Sequence, residues 1–241
     1  MNKEYDPRDY GPVPIWSWAG LKVDVERLDG KDAADLVDTF ARSVDDRIKF
    51  AKYHYQEAVR LLADDLEKMD PADAFVYFFT RDAEARWIES NARAALTAFF
   101  QCLHPIEDHL GHAIYYGLNF DGTSPLKARD ISLMAVKKKL TPWAVLKEMV
   151  DDMEKDLALK YVRDLVNHTK HRHIVKIEVS GSDDAAPGLM INAFTYTDGK
   201  GVSTSYVEEW ALPKVREAFY AMQRHVMRIG LRLNWDVAAR T

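Results

Sequence analysis

The 241-residue chain lacks several features that assign many proteins to a class. Cys102 is its single cysteine, so neither an intrachain disulfide nor a paired-cysteine zinc motif can form. Neither a glycine-rich phosphate-binding loop nor a nucleophile elbow occurs. Cys102 follows Phe99 and Phe100 closely, and this apolar setting predicts a buried thiol rather than a nucleophile. The remaining signals are therefore patterns of helical faces and clusters of polar residues.

Long apolar runs are also missing. None approaches the roughly 18 residues that span a bilayer, and residues 1–6 show no signal-peptide pattern. We therefore expect a cytoplasmic protein with no membrane partner. The net charge of −5, from 33 basic and 38 acidic residues, argues against a surface that coats nucleic acid as a whole. A local basic patch remains compatible with it.

The spacing of apolar residues predicts a mainly α protein, a helical bundle of about four long helices. Between Leu36 and Met69 apolar residues recur at steps of three or four. This helix is expected to end at Asp70, because the residue before a proline is pushed out of helical geometry. Pro105 is expected to divide the next region, since proline removes a backbone hydrogen bond. The predicted helical regions are 31–69, 74–119, 131–140, 142–170 and 212–233.

After residue 173 the pattern changes to alternation, which predicts strands. Alternating segments over 174–179, 189–196 and 202–207 predict a small antiparallel β-meander before the last helix. Proline, glycine and aromatic residues near the N-terminus predict an irregular N-terminal arm over residues 1–30, whose tryptophans pack on the body. We therefore predict one domain over residues 31–241, with a β-appendage at about residues 173–208.

A polar and basic stretch closes the predicted helix that ends near residue 170. At about 100° per residue, its polar side chains fall within an arc of roughly 160°, opposite Val162 and Leu165. Arginine offers a fixed fork of donors to phosphate oxygens, and histidine titrates near neutral pH. This pattern indicates a candidate functional site on the helix. The residues on the arc are Arg163, Asp164, Asn167, His168, Lys170 and His171.

The chain resembles the HEPN superfamily of small helical ribonuclease domains. The resemblance covers about residues 75–175 and rests on the R-x4–6-H spacing of Arg163 and His168 at the end of a long helix. The Asn-His-Thr-Lys-His-Arg run at 167–172 and the His-Pro-Ile-Glu-Asp segment at 104–108 complete it. Many active members carry a tyrosine at the position of Lys170, so a non-catalytic RNA- or protein-binding module stays open as an alternative.

The resemblance implies a metal-independent endoribonuclease that needs no cofactor and is active as a homodimer. Two copies of the motif would face each other across a helical interface, with Arg163 and His168 as the catalytic residues. The resemblance also implies RNA as the substrate and a role as a toxin or in phage defence. An inhibitory partner protein belongs to the same expectation.

Further residues are expected to support this site. Asp164 lies one turn before His168 and is expected to orient its ring. Asp108, on the preceding helix, is expected to pair with Arg163 across the bundle. His171 lies on the same arc, which leaves open which histidine acts. The residues expected to hold the RNA are Asn167, Lys170 and His171.

A helical-bundle metalloprotein is the second alternative. His109 and His112 are three residues apart and share a helix face, and His54 or His225 is available as a third ligand. The Glu-x-x-His pair of di-iron carboxylate bundles does not occur at Glu107. We therefore expect no metal at the Arg163 site.

Overall fold

A computed structural model of the chain describes residues 16–66, 76, 83–182 and 185–240. In these residues the protein is mainly α, as predicted, and short antiparallel strands precede the last helix. A 3-10 turn lies at Ala128–Asp130. The helices are α1 (Ala19–Asp29), α2 (Lys31–Leu66), α3 (Ala83–Leu103), α4 (Ile106–Gly117), α5 (Phe120–Thr123), α6 (Leu133–Lys137), α7 (Ala144–Lys155), α8 (Leu157–His171) and α9 (Ala211–Ala238).

At Pro105 the helix boundaries agree with the sequence, and at Asp156, where a side chain caps a helix, they differ. The helix end predicted at Asp70 lies outside the described residues. Pro105 separates α3 from α4, as expected. The single helix predicted over 142–170 is two helices, because Asp156 takes an extended backbone conformation between α7 and α8. The prediction of an irregular arm over 1–30 is wrong for Ala19–Asp29, which form α1, and residues 1–15 lie outside the described part.

The strands form two small antiparallel sheets instead of one three-stranded meander. In one sheet β2 pairs with both β1 and β5, and in the other β3 pairs with β4. The segment predicted as one strand over 189–196 is interrupted at Asn192, whose side chain donates to Glu178 Oε2 at 2.8 Å. The strands are β1 (Ile177–Ser182), β2 (Ala185–Ile191), β3 (Phe194–Thr197), β4 (Ser203–Tyr206) and β5 (Glu209–Trp210).

Within the range predicted as one domain, the chain forms two compact units. The first contains the described residues of Phe50–Gln101 and Tyr161–Phe219. The second contains the described residues of Pro12–Lys49, Cys102–Lys160 and Tyr220–Thr241. The stretch singled out from the sequence, from Tyr161 onward, belongs to the first unit.

Aromatic side chains form the core of the first unit. Phe99 contacts Tyr55 and Phe219, with ring centroids 6.5 and 6.3 Å away. Tyr161 of α8 is 2% exposed and contacts Phe100 of α3, with ring centroids 6.3 Å apart. Burial of rings of this size is a large favourable contribution to folding. This core fixes the face of α8 on which the candidate site is built.

The second unit contains the two tryptophans near the N-terminus, Trp16 and Trp18. Trp16 is buried and its Nε1 donates to Asn234 Oδ1 at 3.0 Å, while Trp18 Nε1 donates to Asp38 Oδ1 at 2.9 Å. The expectation that these tryptophans pack on the body is confirmed. Among the described helices of both units, none has the length and apolarity that a membrane span requires.

Candidate functional site

The candidate site is built on one stripe of α8. Tyr161, Asp164 and His168 follow one another at steps of three and four residues, so they share a helix face. All three are buried, with Asp164 7% and His168 6% exposed. The sequence predicts that Asp164 and His168 lie on an arc of polar side chains. The structure shows instead that the edge of this arc is covered.

The hairpin of β3 and β4 covers this stripe. Phe194 and Tyr206 are cross-strand partners with rings stacked 4.7 Å apart, and both contact Tyr161 edge-on, with centroids 5.6 and 5.1 Å away. The Phe194 ring also contacts the His168 ring, at 5.6 Å. Alternation along β3 turns Thr195 outward while its backbone carbonyl stays at the helix. The hairpin thereby supplies a backbone acceptor to the site.

His168 has partners at both ring nitrogens. Its Nδ1 lies 3.1 Å from the carbonyl oxygen of Thr195, and its Nε2 lies 3.5 Å from Nε2 of His173. The two imidazole rings are nearly perpendicular, at 87°, with centroids 4.7 Å apart. Burial lowers the pKa of His168, and the nearby His173 and Arg172 lower this pKa further against the opposing effect of the Thr195 bond. The surroundings of the ring therefore favour its neutral form.

Asp164 is engaged by the hairpin as well. The hydroxyl of Tyr206 donates to Asp164 Oδ2 at 2.5 Å. Burial and this hydrogen bond raise the pKa of Tyr206, and the positive charge of Arg163 opposes the rise. Nδ1 of His168 contacts the backbone carbonyl of Thr195, and the orientation of this ring by Asp164 stays a prediction. The hydrogen bond from Tyr206 ties Asp164 of α8 to β4.

The other predicted residues differ in exposure. Arg163 and Asn167 are half-buried, while Lys170 and His171 are exposed at the end of α8. Arg172 and His173, which follow the helix, are exposed too. Cations at a helix C-terminus interact favourably with its dipole, so part of this clustering is explained by helix stability alone. Its result is a group of exposed cationic and titratable side chains beside a buried imidazole.

Asp108 belongs to the second unit, where it is exposed in the first turn of α4. The pairing of Asp108 with Arg163 therefore stays a prediction. Two histidines of this segment, His109 and His112, lie beside the ring of Phe40. His112 lies flat on Phe40, with centroids 4.2 Å apart and an interplanar angle of 11°. Burial lowers the pKa of both His109 and His112.

The residues proposed as metal ligands do not converge. In the described ranges no group of three or more His, Cys, Asp or Glu side chains is placed to hold a metal ion. His225 is buried and its Nε2 lies 3.0 Å from Asp156 Oδ2. Cys102 is a free, buried thiol, as predicted, and burial raises its pKa. Neither His225 nor Cys102 adds a ligand to His109 and His112.

No protein-family model, curated protein or solved structure matches the chain.

Sequence reasoning missed the hairpin residues and His173. The contact of Thr195 is made by a backbone carbonyl, which every residue has, so no side-chain pattern announces it. Tyr206 lies 42 positions from Asp164, beyond the range of any local pattern. His173 was visible as the third histidine in six residues, but it falls after the predicted helix. Its place in the site depends on how the chain turns after α8.

Proposed function

We propose that the protein is a metal-independent endoribonuclease of the HEPN type, with Arg163 and the His168 imidazole at its centre. The observation that carries this proposal is the pair of imidazoles of His168 and His173 beside exposed cations at the end of α8. Proton transfer and stabilisation of phosphate charge require these two kinds of group. An RNA substrate is compatible with the cytoplasmic location expected from the sequence.

The chemistry of RNA matches these residues because RNA carries its own nucleophile. A 2′-hydroxyl attacks the adjacent phosphorus, the bond to the 5′-oxygen breaks, and a 2′,3′-cyclic phosphate remains. Arg163 has a rigid fork of donors for the oxygens of the pentavalent phosphorus. A neutral imidazole near neutral pH accepts a proton from the hydroxyl. No redox change and no metal ion are needed for this balance.

Exposed cations next to the imidazoles support binding of RNA. Lys170 and Arg172 lie on the surface on either side of His171, although the whole chain carries a net charge of −5. Neutralisation of phosphates by such residues makes affinity fall steeply with salt. Asn167, half-buried on the same helix, supplies a neutral donor and acceptor for the sugar-phosphate backbone.

A homodimer, a growth-inhibiting role and an inhibitory partner complete the proposal. They follow from the resemblance of the Arg163–His168 motif to HEPN domains. Two protomers would each contribute one motif to a shared cleft. The mass of the assembly, measured by analytical ultracentrifugation, would then be twice the chain mass of 27.6 kDa. A toxin of this class inhibits growth when it is overexpressed without its partner.

A non-catalytic RNA- or protein-binding module is the second candidate, and one observation favours it. His168 is 6% exposed, and the ring that sequence assigns to catalysis already has partners at both nitrogens. A buried ring of this kind stabilises the fold without touching a ligand. Such a module would bind through its exposed cations. It would retain binding when Arg163 and His168 are both replaced.

The first prediction separates these two candidates. Purified protein should cleave a fluorescent single-stranded RNA in the presence of a chelator and leave 2′,3′-cyclic phosphate ends. Arg163→Ala combined with His168→Ala should reduce the rate by about 1,000-fold or more, because it removes the charge stabiliser and the imidazole. Gel electrophoresis measures the cleavage rate, and mass spectrometry identifies the ends of the products.

The matched control removes the same two residue types elsewhere in the first unit. Arg60→Ala combined with His54→Ala lies on α2, where Arg60 pairs with Glu57 at the surface. This control should cleave at the unaltered rate. RNA binding without cleavage by the unaltered protein, or cleavage that survives in the Arg163 and His168 double variant, contradicts the nuclease and favours the binding module.

A further inference from the structure

The contacts of His168 determine which of its nitrogens carries the proton. A carbonyl oxygen only accepts hydrogen bonds, so the 3.1 Å contact with Thr195 requires a proton on Nδ1 of His168. In the neutral ring, Nε2 is then a bare acceptor. The pair of Thr195 and His168 therefore presents a fixed acceptor, not a donor, toward the surface.

His173 is the residue that this acceptor faces. Its Nε2 lies 3.5 Å from Nε2 of His168, at the long end of the hydrogen-bond range, and its ring meets the His168 ring edge-on. Donation from Nε2 of His173 leaves its Nδ1 bare. Because His173 is exposed while His168 is buried, this Nδ1 is the nitrogen of the pair that solvent and a substrate can reach. In this arrangement, the acceptor on His168 fixes the tautomer of His173, as a hydrogen-bond acceptor does for the catalytic histidine of many enzymes.

We propose that His173 is the catalytic histidine of this site and that His168, held by Thr195, is its positioning residue. This inference rests on the proposed ribonuclease function and names a different residue for its proton transfer. The charged or titratable groups that act on His168 are His173 and Arg172, and β3 contributes the Thr195 carbonyl and the Phe194 ring. His168 of the R-x4–6-H motif would then orient His173. The histidine that touches RNA would be His173, five positions beyond the motif.

The proposed step balances in atoms and charge. Nδ1 of His173 takes the proton of the RNA 2′-hydroxyl as the 2′-oxygen bonds to phosphorus. The bond from phosphorus to the 5′-oxygen breaks, and that oxygen leaves as a hydroxyl with a proton from water. The imidazolium of His173 keeps its Nε2 proton on the His168 acceptor and returns its Nδ1 proton to solvent.

The kinetic test compares two histidine substitutions on the fluorescent RNA. His173→Ala should lower kcat by about 100- to 1,000-fold with little change in KM, because it removes the proton acceptor. Since His173 is exposed, this variant should retain the fold. His54→Ala, outside the site, should cleave at the unaltered rate. Equal rates for the His173→Ala variant and the unaltered protein overturn the assignment.

The positioning role of His168 has its own readout. His168→Asn retains a donor for the Thr195 carbonyl, but its shorter side chain places no acceptor at the position of Nε2, which faces His173. The acidic limb of the pH profile of kcat/KM should move to lower pH, because protonated His173 loses its hydrogen-bond acceptor. An unmoved limb with a lower rate indicates a role in folding only and overturns the positioning role.

A measurement without substrate covers the case in which His168→Asn fails to fold. Nitrogen-15 NMR of the histidine rings in the unaltered protein should show a protonated Nδ1 and a bare Nε2 for His168. A protonated Nε2 at His168 overturns the inference whatever the kinetics show. If the unaltered protein cleaves no RNA, the proposed function and this inference both fall. If it cleaves RNA but His173→Ala does so equally well, only the inference falls.

Discussion

At the scale of single residues, the hairpin changes what the polar side chains of α8 can do. His168 and Asp164 are both ionisable, and both are buried under Phe194 and Tyr206. A buried polar group is costly unless it has a hydrogen-bond partner, and each of the two has one on the hairpin. The exposed residues beyond the helix, which have no such cover, are the ones free to meet a ligand.

The Tyr206–Asp164 hydrogen bond provides a prediction about stability. Tyr206→Phe removes a donor from a carboxylate that is 7% exposed, at an O–O distance of 2.5 Å. We expect a decrease in the free energy of unfolding of about 2 kcal/mol, since bonds to charged groups contribute about 1.5–3 kcal/mol. Urea unfolding followed by circular dichroism measures it.

Tyr196→Phe is the matched control, because Tyr196 is half-buried on the neighbouring strand of the same hairpin. Its cost should stay below about 0.5 kcal/mol, as for other substitutions that remove no buried bond. Equal costs for the two variants would show that the Asp164 bond adds nothing to stability.

At the scale of elements, one carboxylate separates α7 from α8. Asp156 Oδ1 accepts from the backbone N–H groups of Ala158 and Leu159 at 3.0 and 3.4 Å, which caps the start of α8. Its Oδ2 accepts from Arg224 at 2.9 Å and contacts His225 at 3.0 Å. The apolar stripe continues through this point, so periodicity alone predicts one helix. The cap at Asp156 ends this continuity, and two helices form.

The second stability prediction concerns this cap. Asp156→Ala should lower the free energy of unfolding by about 3 kcal/mol, from a lost cap of about 1 kcal/mol and lost bonds to Arg224 and His225. Asp156→Asn retains a capping oxygen and should recover about 1 kcal/mol of this loss. Differential scanning calorimetry or urea unfolding measures all three proteins.

Asp152→Ala serves as the control one turn earlier on α7. Its carboxylate meets Arg228 at 3.5 Å with both side chains nearly half exposed, so we expect a cost below about 1 kcal/mol. A cost for Asp156→Ala no larger than this would mean that the cap and its ion pair contribute little.

At the scale of the whole molecule, both compact units hold histidines in poorly solvated surroundings. Burial is the main cause that lowers their pKa values, and each is engaged with an aromatic ring. A neutral buried imidazole favours the folded protein only while the solvent does not protonate it. These histidines are His54 and His168 in the first unit, and His109 and His112 in the second.

The last prediction follows from the sign of these shifts. Unfolded histidines titrate near about pH 6.5, so below that pH the unfolded chain binds protons that the folded chain does not. The contribution to stability is fully present above about pH 7 and is lost as the pH falls through 6.5 toward the lower folded pKa values. The urea midpoint should therefore be lower at about pH 5.5 than at about pH 7.5.

His112→Phe tests the source of this dependence. Phenylalanine retains the flat stack on Phe40 and removes one titrating ring, whose Nδ1 has no hydrogen-bond partner within the described residues. The decrease in midpoint between the two pH values should become smaller in this variant. A midpoint that is unchanged or higher at the lower pH in the unaltered protein contradicts the assignment.

The sequence by itself determined the class of fold, because apolar residues at steps of three and four can be buried only along a helix face. It also determined the break at Pro105 and the buried setting of Cys102, both of which depend on near neighbours in the chain. The cluster of Arg163, His168 and the residues after them was likewise visible, since it is contiguous. Local chemistry was enough for these features.

Only the tertiary structure decided which of the clustered residues are covered. The hairpin that buries Asp164 and His168 and leaves His173 at the surface lies some 27 to 42 positions away in the chain. Its backbone carbonyl and its Tyr206 hydroxyl carry no pattern that points to α8. Burial and hydrogen-bond partners set the tautomer and charge of an imidazole, and both depend on contacts between distant segments. For this reason the proposal of His173 over His168 as the catalytic histidine depends on tertiary contacts.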